Sequence, residues 1–143
     1  MKTRRIAEAL VRRFKTRNPY RIAEGLGIIV KFVPLHGIRG FYQYINRCGI
    51  IYIDESLSEW DAGFVCAHEL GHALLHKGYN RVFMDTHAFF KVDKYEIEAD
   101  HFAVNLRFSD DDVILLFDFP TEVVAYTLGV STELAAYRMS MVA

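Results

Sequence analysis

The chain has little cysteine: two residues in 143, Cys48 and Cys66. That is too few for a disulfide framework, and with no secretory signal both read as reduced thiols. The basic start Met1-Lys2-Thr3-Arg4-Arg5 is not followed by an apolar signal core. Secretion is therefore not expected, and a cytoplasmic location is. Long hydrophobic runs are lacking too. None approaches the ~20 residues of a membrane span. Net charge is −1, which gives no global pull toward nucleic acid. There is no internal repeat, low-complexity segment or linker.

What is present is apolar. Hydrophobic residues make up 52% of the chain, enough for a compact, well-buried globule. The length fits a single domain over residues 1–143. Charge is uneven. Lys2, Arg4, Arg5, Arg12, Arg13, Lys15, Arg17 and Arg21 face only Glu8 in the first stretch. This basic stripe could meet DNA or an acidic partner. The preferred reading is the solvated face of an amphipathic helix.

Periodicity places the elements. Ile6, Leu10 and Phe14, with Ala7 and Val11, predict an amphipathic first helix. Asn18-Pro19 reads as a cap and first turn, and the helix it opens would stop near Gly25 or Gly27. Three β-rich runs follow: 28–33, 41–45 and 49–53. Asn46-Arg47-Cys48-Gly49 fits a tight hairpin between the last two. Ser58 is the expected cap of a long helix and Gly78 its expected stop. Residues 79–93 show no clear period and read as a substrate-facing loop or edge strand. Helix is expected again from about Lys94 to Leu106. Ser109 should cap another ending before Pro120. Thr121 starts a further one, and Gly129-Val130-Ser131 turns into the last.

His68-Glu69-Leu70-Gly71-His72 reads HExxH inside the long helical run. A helix advances about 100° per residue, so both imidazoles lie one turn apart on one face. They can reach one metal ion, with Glu69 about a quarter turn away beside a water. Zinc needs neutral nitrogen ligands, an open position and a nearby base to activate water at neutral pH. Accidental HExxH strings occur, but mostly outside helices. Gly71 costs roughly 1 kcal/mol in a helix interior. Its presence points to another element approaching closely there.

A catalytic zinc site usually takes three protein ligands. The segment Tyr95 to Ala103 offers Glu96, Glu98 and Asp100. Glu96 and Asp100 share a helix face, while Glu98 lies about 200° from Glu96. Glu96 is therefore chosen as third ligand. Asp100 would accept the N–H of a ligating histidine and fix its tautomer. The bland alternative is three acids on a solvated face. His76 reads as a surface or helix-terminus residue. Gly78 stands where a three-histidine HExxHxxGxxH pattern needs His. Cys66 points away from the ligand face, and Cys48 stays open.

These motifs together resemble the ImmA/IrrE metallopeptidases, small gluzincin-like zinc proteases. The resemblance is carried by 18–28, by Gly40-Phe41-Tyr42 and Ile51-Tyr52-Ile53, by 67–76, by 96–103 and by 130–139. The chain departs at Leu106-Arg107-Phe108-Ser109, where relatives usually run Leu-Leu-Met-Pro-like. The resemblance implies a zincin-like α+β fold: a small, mostly antiparallel sheet packed on the HExxH helix, then a helical C-terminal part. It implies Zn²⁺ and a protein substrate, typically a helix-turn-helix repressor whose cleavage releases transcription. Glu69 would act as base and His68, His72 and Glu96 as ligands. Tyr79, His87, Tyr95 and His101 remain open as oxyanion donors. Two other classes stand beside this reading. One is a non-catalytic repressor- or DNA-binding module on the same fold. The other is a deformylase-like zinc amidohydrolase using Cys48.

Overall fold

The computed structural model describes residues 2–77 and 89–142. Helix α1 spans Lys2–Phe14 and buries Thr3, Ala7 and Leu10 along one stripe. Helix α2, Pro19–Gly25, opens as its sequence dictates. Asn18 Oδ1 accepts from the Tyr20 and Arg21 amides, with proline in the first turn. Arg17, just before it, donates to the Asn105 and Leu106 carbonyls and to Glu8. Those carbonyls lie at the end of a later helix, where no intrahelical donor remains.

Strands β1 (Ile29–Val33), β2 (Gly40–Ile45) and β3 (Cys48–Asp54) form one sheet in the order β1-β3-β2. β2 and β3 pair antiparallel through a turn at Asn46 and Arg47, with φ of 52° and 62°. Two consecutive positive φ values are what a two-residue type I′ hairpin requires. β1 pairs with β3 in parallel, from Ile29↔Ile50 to Val33↔Asp54. The sheet is thus mixed, not mostly antiparallel. The hairpin is a local signal, but the place of β1 is a tertiary choice. β3 buries Gly49, Ile51 and Ile53 in strict alternation and takes the centre. β1 and β2 form the two edges.

Helix α3, Glu59–Leu75, is capped by Ser58 Oγ on the Asp61 amide at 3.2 Å. It buries residues on nearly every side, since the sheet, α2 and the next helix all pack on it. Helix α4, Phe89–Arg107, crosses it. A Cβ on Gly71 would lie 3.0 Å from Phe102 Cδ1 and 3.3 Å from the Ala99 Cα. At that glycine the two helices pack closely, the approach that its helix cost implied. On the sheet side, a Cβ on Gly40 would meet Val65 Cγ1 at 2.5 Å.

Three boundaries differ from expectation. α3 ends at Leu75, before Gly78, which lies outside the described residues. Of the stretch 79–93, positions 89–93 are helix, and 79–88 lie outside the described residues. The helix capped by Ser109 is α5, only Asp110–Ile114. Three acids in its first turn favour the start, but Leu115 to Phe119 leave the helix before Pro120. Helices α6 (Thr121–Leu128) and α7 (Thr132–Ser140) complete the chain, with Gly129 at φ 72° between them.

Two apolar clusters result. One joins α1–α4 to the sheet through Ile22, Ile51, Ile53, Cys66, Leu70 and Phe102. The other gathers Val104, Phe108, Val113, Val124, Leu128 and Leu134. The arrangement is α+β. No described helix is long and apolar enough to cross a membrane.

Candidate metal centre

The crossing of α3 and α4 sets the centre. α3 carries His68, Glu69 and His72. Their donor atoms lie within 4.8 Å of one another. α4 brings Glu96 against them. Its Oε1 is 3.4 Å from His68 Nε2, and its Oε2 is 2.5 Å from His72 Nε2. Glu69 Oε2 lies 3.9 Å from His68 Nε2. Glu69 and His72 are buried, at 3% and 2% exposure. Glu96 reaches both imidazoles, whereas Glu69 approaches from one side.

Each histidine turns Nε2 inward and is anchored by Nδ1. His68 Nδ1 is 2.7 Å from Asp100 Oδ1. His72 Nδ1 is 3.0 Å from His76 Nδ1, and His76 Nε2 is 3.4 Å from Glu98 Oε1. His76 is itself 7% exposed and stacks on the Tyr95 ring at 4.1 Å between centroids. It stands at the helix terminus, as expected, as the C-cap of α3, but it is buried there and not on the surface. Glu98 does not share the face of Glu96, as its angle required, but the side it takes meets His76. Sequence reasoning missed this pair. The available signal was spacing: His68, His72 and His76 repeat at i, i+4 and i+8, so the row continues a turn past the motif.

The electrostatics favour a cation. Burial by itself pushes the His68 pKa down, but hydrogen bonds to Asp100 and Glu96 outweigh it and raise it to about 10. Burial pushes Glu96 up, yet the bonds to His68 and His72 hold its carboxyl well below the usual range. A divalent cation competes for the same electron pairs, so binding it releases protons. Two imidazole nitrogens and a carboxylate stand close enough together to offer a donor set. That fits zinc, which takes N and O ligands and keeps an open position when three protein ligands bind it.

Other candidates sit elsewhere. His101 stacks flat on Tyr137, with centroids 3.5 Å apart and planes 4° from parallel. Tyr79 and His87 lie outside the described residues. Cys48 opens β3, and its thiol contacts the Gly49 carbonyl at 3.7 Å. It is not part of the donor cluster among the described residues. Cys66 is fully buried, and burial pushes its thiol up to about 12. Of the basic stripe, Arg4 binds Asp110 and Arg17 binds the end of α4, while Arg5, Arg12 and Arg13 are exposed.

Comparison with known proteins places the chain among metallopeptidase-like domains. The family model of the IrrE N-terminal-like peptidase domain matches residues 23–140. The "Uncharacterized immunity region protein 2" of Bacillus phage phi105 is 40% identical over 131 residues, covering 90% of this chain and 83% of that protein. The "Metallopeptidase ImmA" of Bacillus subtilis (strain 168) is 27% identical over 141 residues, covering 94% and 82%. The matched span contains both α3 and the part of α4 that supplies the carboxylates. The chain belongs to the ImmA/IrrE family of metallopeptidase-like proteins.

Proposed function

We propose that this protein is a cytoplasmic zinc metallo-endopeptidase. The observation that carries the reading is the convergence of His68 Nε2, His72 Nε2 and the Glu96 carboxylate on one point, with Glu69 buried beside it. His68, His72 and Glu96 would hold Zn²⁺. The chemistry that zinc supplies when bound is Lewis acidity, toward a water and toward the peptide carbonyl. Glu69 takes a proton from the attacking water and delivers it to the leaving nitrogen. Asp100 accepts from His68 Nδ1, which leaves Nε2 with its lone pair toward the site.

The substrate is proposed to be a protein, a helix-turn-helix repressor, in an anti-repressor role. The family resemblance carries this. The name of the Bacillus phage relative, which places that protein in an immunity region, accords with it. The alternative is a repressor- or DNA-binding module without catalysis. It keeps the exposed Arg5, Arg12 and Arg13 but not Arg4 or Arg17, which are engaged within the fold.

The test is metal analysis of purified wild type beside Glu96→Ala. About one zinc per wild-type chain, lost in Glu96→Ala, supports the three-ligand site. Cleavage of a candidate repressor by wild type but not by zinc-loaded Glu69→Gln then establishes the peptidase. No zinc uptake by wild type removes the catalytic reading in favour of a binding module.

A further inference from the structure

The two histidines of the centre are anchored by unlike groups. His68 has the ordinary partner of a metal-bound imidazole, a carboxylate, in Asp100. His72 has a second imidazole. A neutral His72 whose Nε2 lone pair faces the site carries its hydrogen on Nδ1. It can then donate only to an unprotonated nitrogen, so His76 must leave Nδ1 bare and carry its hydrogen on Nε2. Glu98 Oε1 stands 3.4 Å from that Nε2 and selects this tautomer. His72 lies in α3, His76 caps its C-terminal end and the carboxylate comes from α4, so the chain of contacts joins the two helices.

We infer that His76 and Glu98 form a positioning pair that orients His72 for the metal, a role parallel to that of Asp100 toward His68. The inference rests on the proposed zinc site. Three observations carry it: the 3.0 Å contact of His76 Nδ1 with His72 Nδ1, the burial of His76, and its ring stacked on Tyr95. The stacking fixes the plane of the His76 ring, so its nitrogens are held toward His72 and Glu98. The line ends at Glu98, whose side chain is 31% exposed. His72 is thereby linked to the protein surface through two hydrogen bonds. Neither residue touches a substrate in this scheme, and both act through His72.

The experiment is competitive zinc titration of the full-length metal-free protein against a chromophoric chelator. The visible spectrum of the cobalt-substituted protein serves as a second readout. His76→Phe keeps a ring against Tyr95 and removes both nitrogens. It should weaken zinc binding about 10–100-fold, the usual effect of losing a partner behind a metal ligand. It should also change the cobalt bands. His76→Gln, which restores an acceptor, should recover part of the loss. A His76→Phe protein that holds zinc as tightly as wild type, with unchanged cobalt bands, overturns the inference and leaves the zinc site intact. Wild type that binds no zinc overturns both. If His76→Phe does not fold, Glu98→Ala at the partly exposed end decides. Weakened zinc binding supports the pair, and unchanged affinity overturns it.

Discussion

Two polar clusters sit along α4, one in its middle at the α3 crossing and one at its C-terminal end, and they are built on different rules. At the α3 crossing, His68, His72 and Glu96 point lone pairs and charge at one small volume. At the C-terminal end, Arg138, with no exposed surface, donates to the Phe108 carbonyl at 2.8 Å and to Asp110 at 2.7 Å. Asp110 also receives Arg4 at 2.6 Å, and Asn105 donates to Tyr137 at 2.8 Å. Here opposite charges meet and tie α1, α4, α5 and α7 together, although Arg138 Nε and Nη1 and Asn105 Oδ1 are buried without a hydrogen-bond partner among the described residues. A buried group that matches its neighbours holds a fold. Two imidazoles and a carboxylate that converge on one point can serve a cation as well as each other. Clusters of metal-ligating side chains belong to this second type.

The largest expected effect separates the two clusters by chemistry. Glu69→Gln should lower peptide cleavage about 10²–10⁴-fold, the range for losing a general acid–base group. Zinc content should stay at the wild-type level, measured on the same preparation. Cleavage that survives would move the base elsewhere. The converse change lies at the far end of α4. Asp110→Ala leaves the Arg138 guanidinium buried without its carboxylate. Because Asp110 is partly exposed, the cost should fall below that of a fully buried pair, to about 1–2 kcal/mol, read by denaturant unfolding. Arg138→Met removes the charge with its burial cost and keeps the bulk, so it should cost less. Equal losses would show that leaving the Arg138 charge buried and unpaired adds nothing to the loss of the pair itself. In neither variant should zinc stoichiometry change while the protein stays folded.

Gly71 belongs to the crossing itself. Alanine would gain roughly 1 kcal/mol of helix propensity. It would also place a methyl 3.0 Å from Phe102 Cδ1 and 3.3 Å from the α4 backbone. Backbone gives way poorly, so Gly71→Ala should be net destabilising by about 1–2 kcal/mol. Pushing α4 off α3 should also weaken zinc binding, because Glu96 would be drawn back from both imidazoles. A more stable Gly71→Ala protein with unchanged zinc affinity would mean that the crossing has slack.

How much of this was legible in the sequence follows from what is local. HExxH on one helix is a matter of angle, and so is the choice of Glu96 and Asp100 as a shared face. The caps at Asn18, Ser58, Ser109 and Ser131 are contacts within three residues, and each hydroxyl or amide oxygen accepts from the backbone. The Asn46–Arg47 turn is local as well. What escaped was tertiary. The parallel seating of β1 depends on which strand becomes central. The meeting of His76 with Glu98 depends on the angle at which two helices cross. The early start of α4 at Phe89 escaped because its first turns show no apolar period of their own, and helix there extends a segment anchored further on. The basic stripe was read as a solvated face, yet Arg4 and Arg17 became internal staples, because their partners lie about a hundred residues away for Arg4 and nearly ninety for Arg17.

The smallest expected effect is one of pH, and it tests the structural cluster alone. The Arg4 guanidinium, with help from Arg138, lowers the Asp110 carboxyl to about 2 against burial that opposes the shift. An unfolded aspartate titrates near ~3.9. The folded pKa lies below the unfolded one, so this carboxylate contributes stability above pH ~4, and the contribution is lost as pH falls toward 2. Asp110 keeps 38% of its side chain exposed, so water and salt screen the effect and it should be modest. The measurement is the thermal midpoint of wild type and of Asp110→Asn at pH 6, 4 and 2.5. Other carboxylates titrate in the same range in both proteins, so only the difference between the two curves reports on Asp110. That difference should be largest at pH 6 and shrink with acid, and it should narrow at high salt. A gap that stays constant down to pH 2.5 would show that Asp110 holds α1 and α7 through geometry, with its charge contributing nothing measurable.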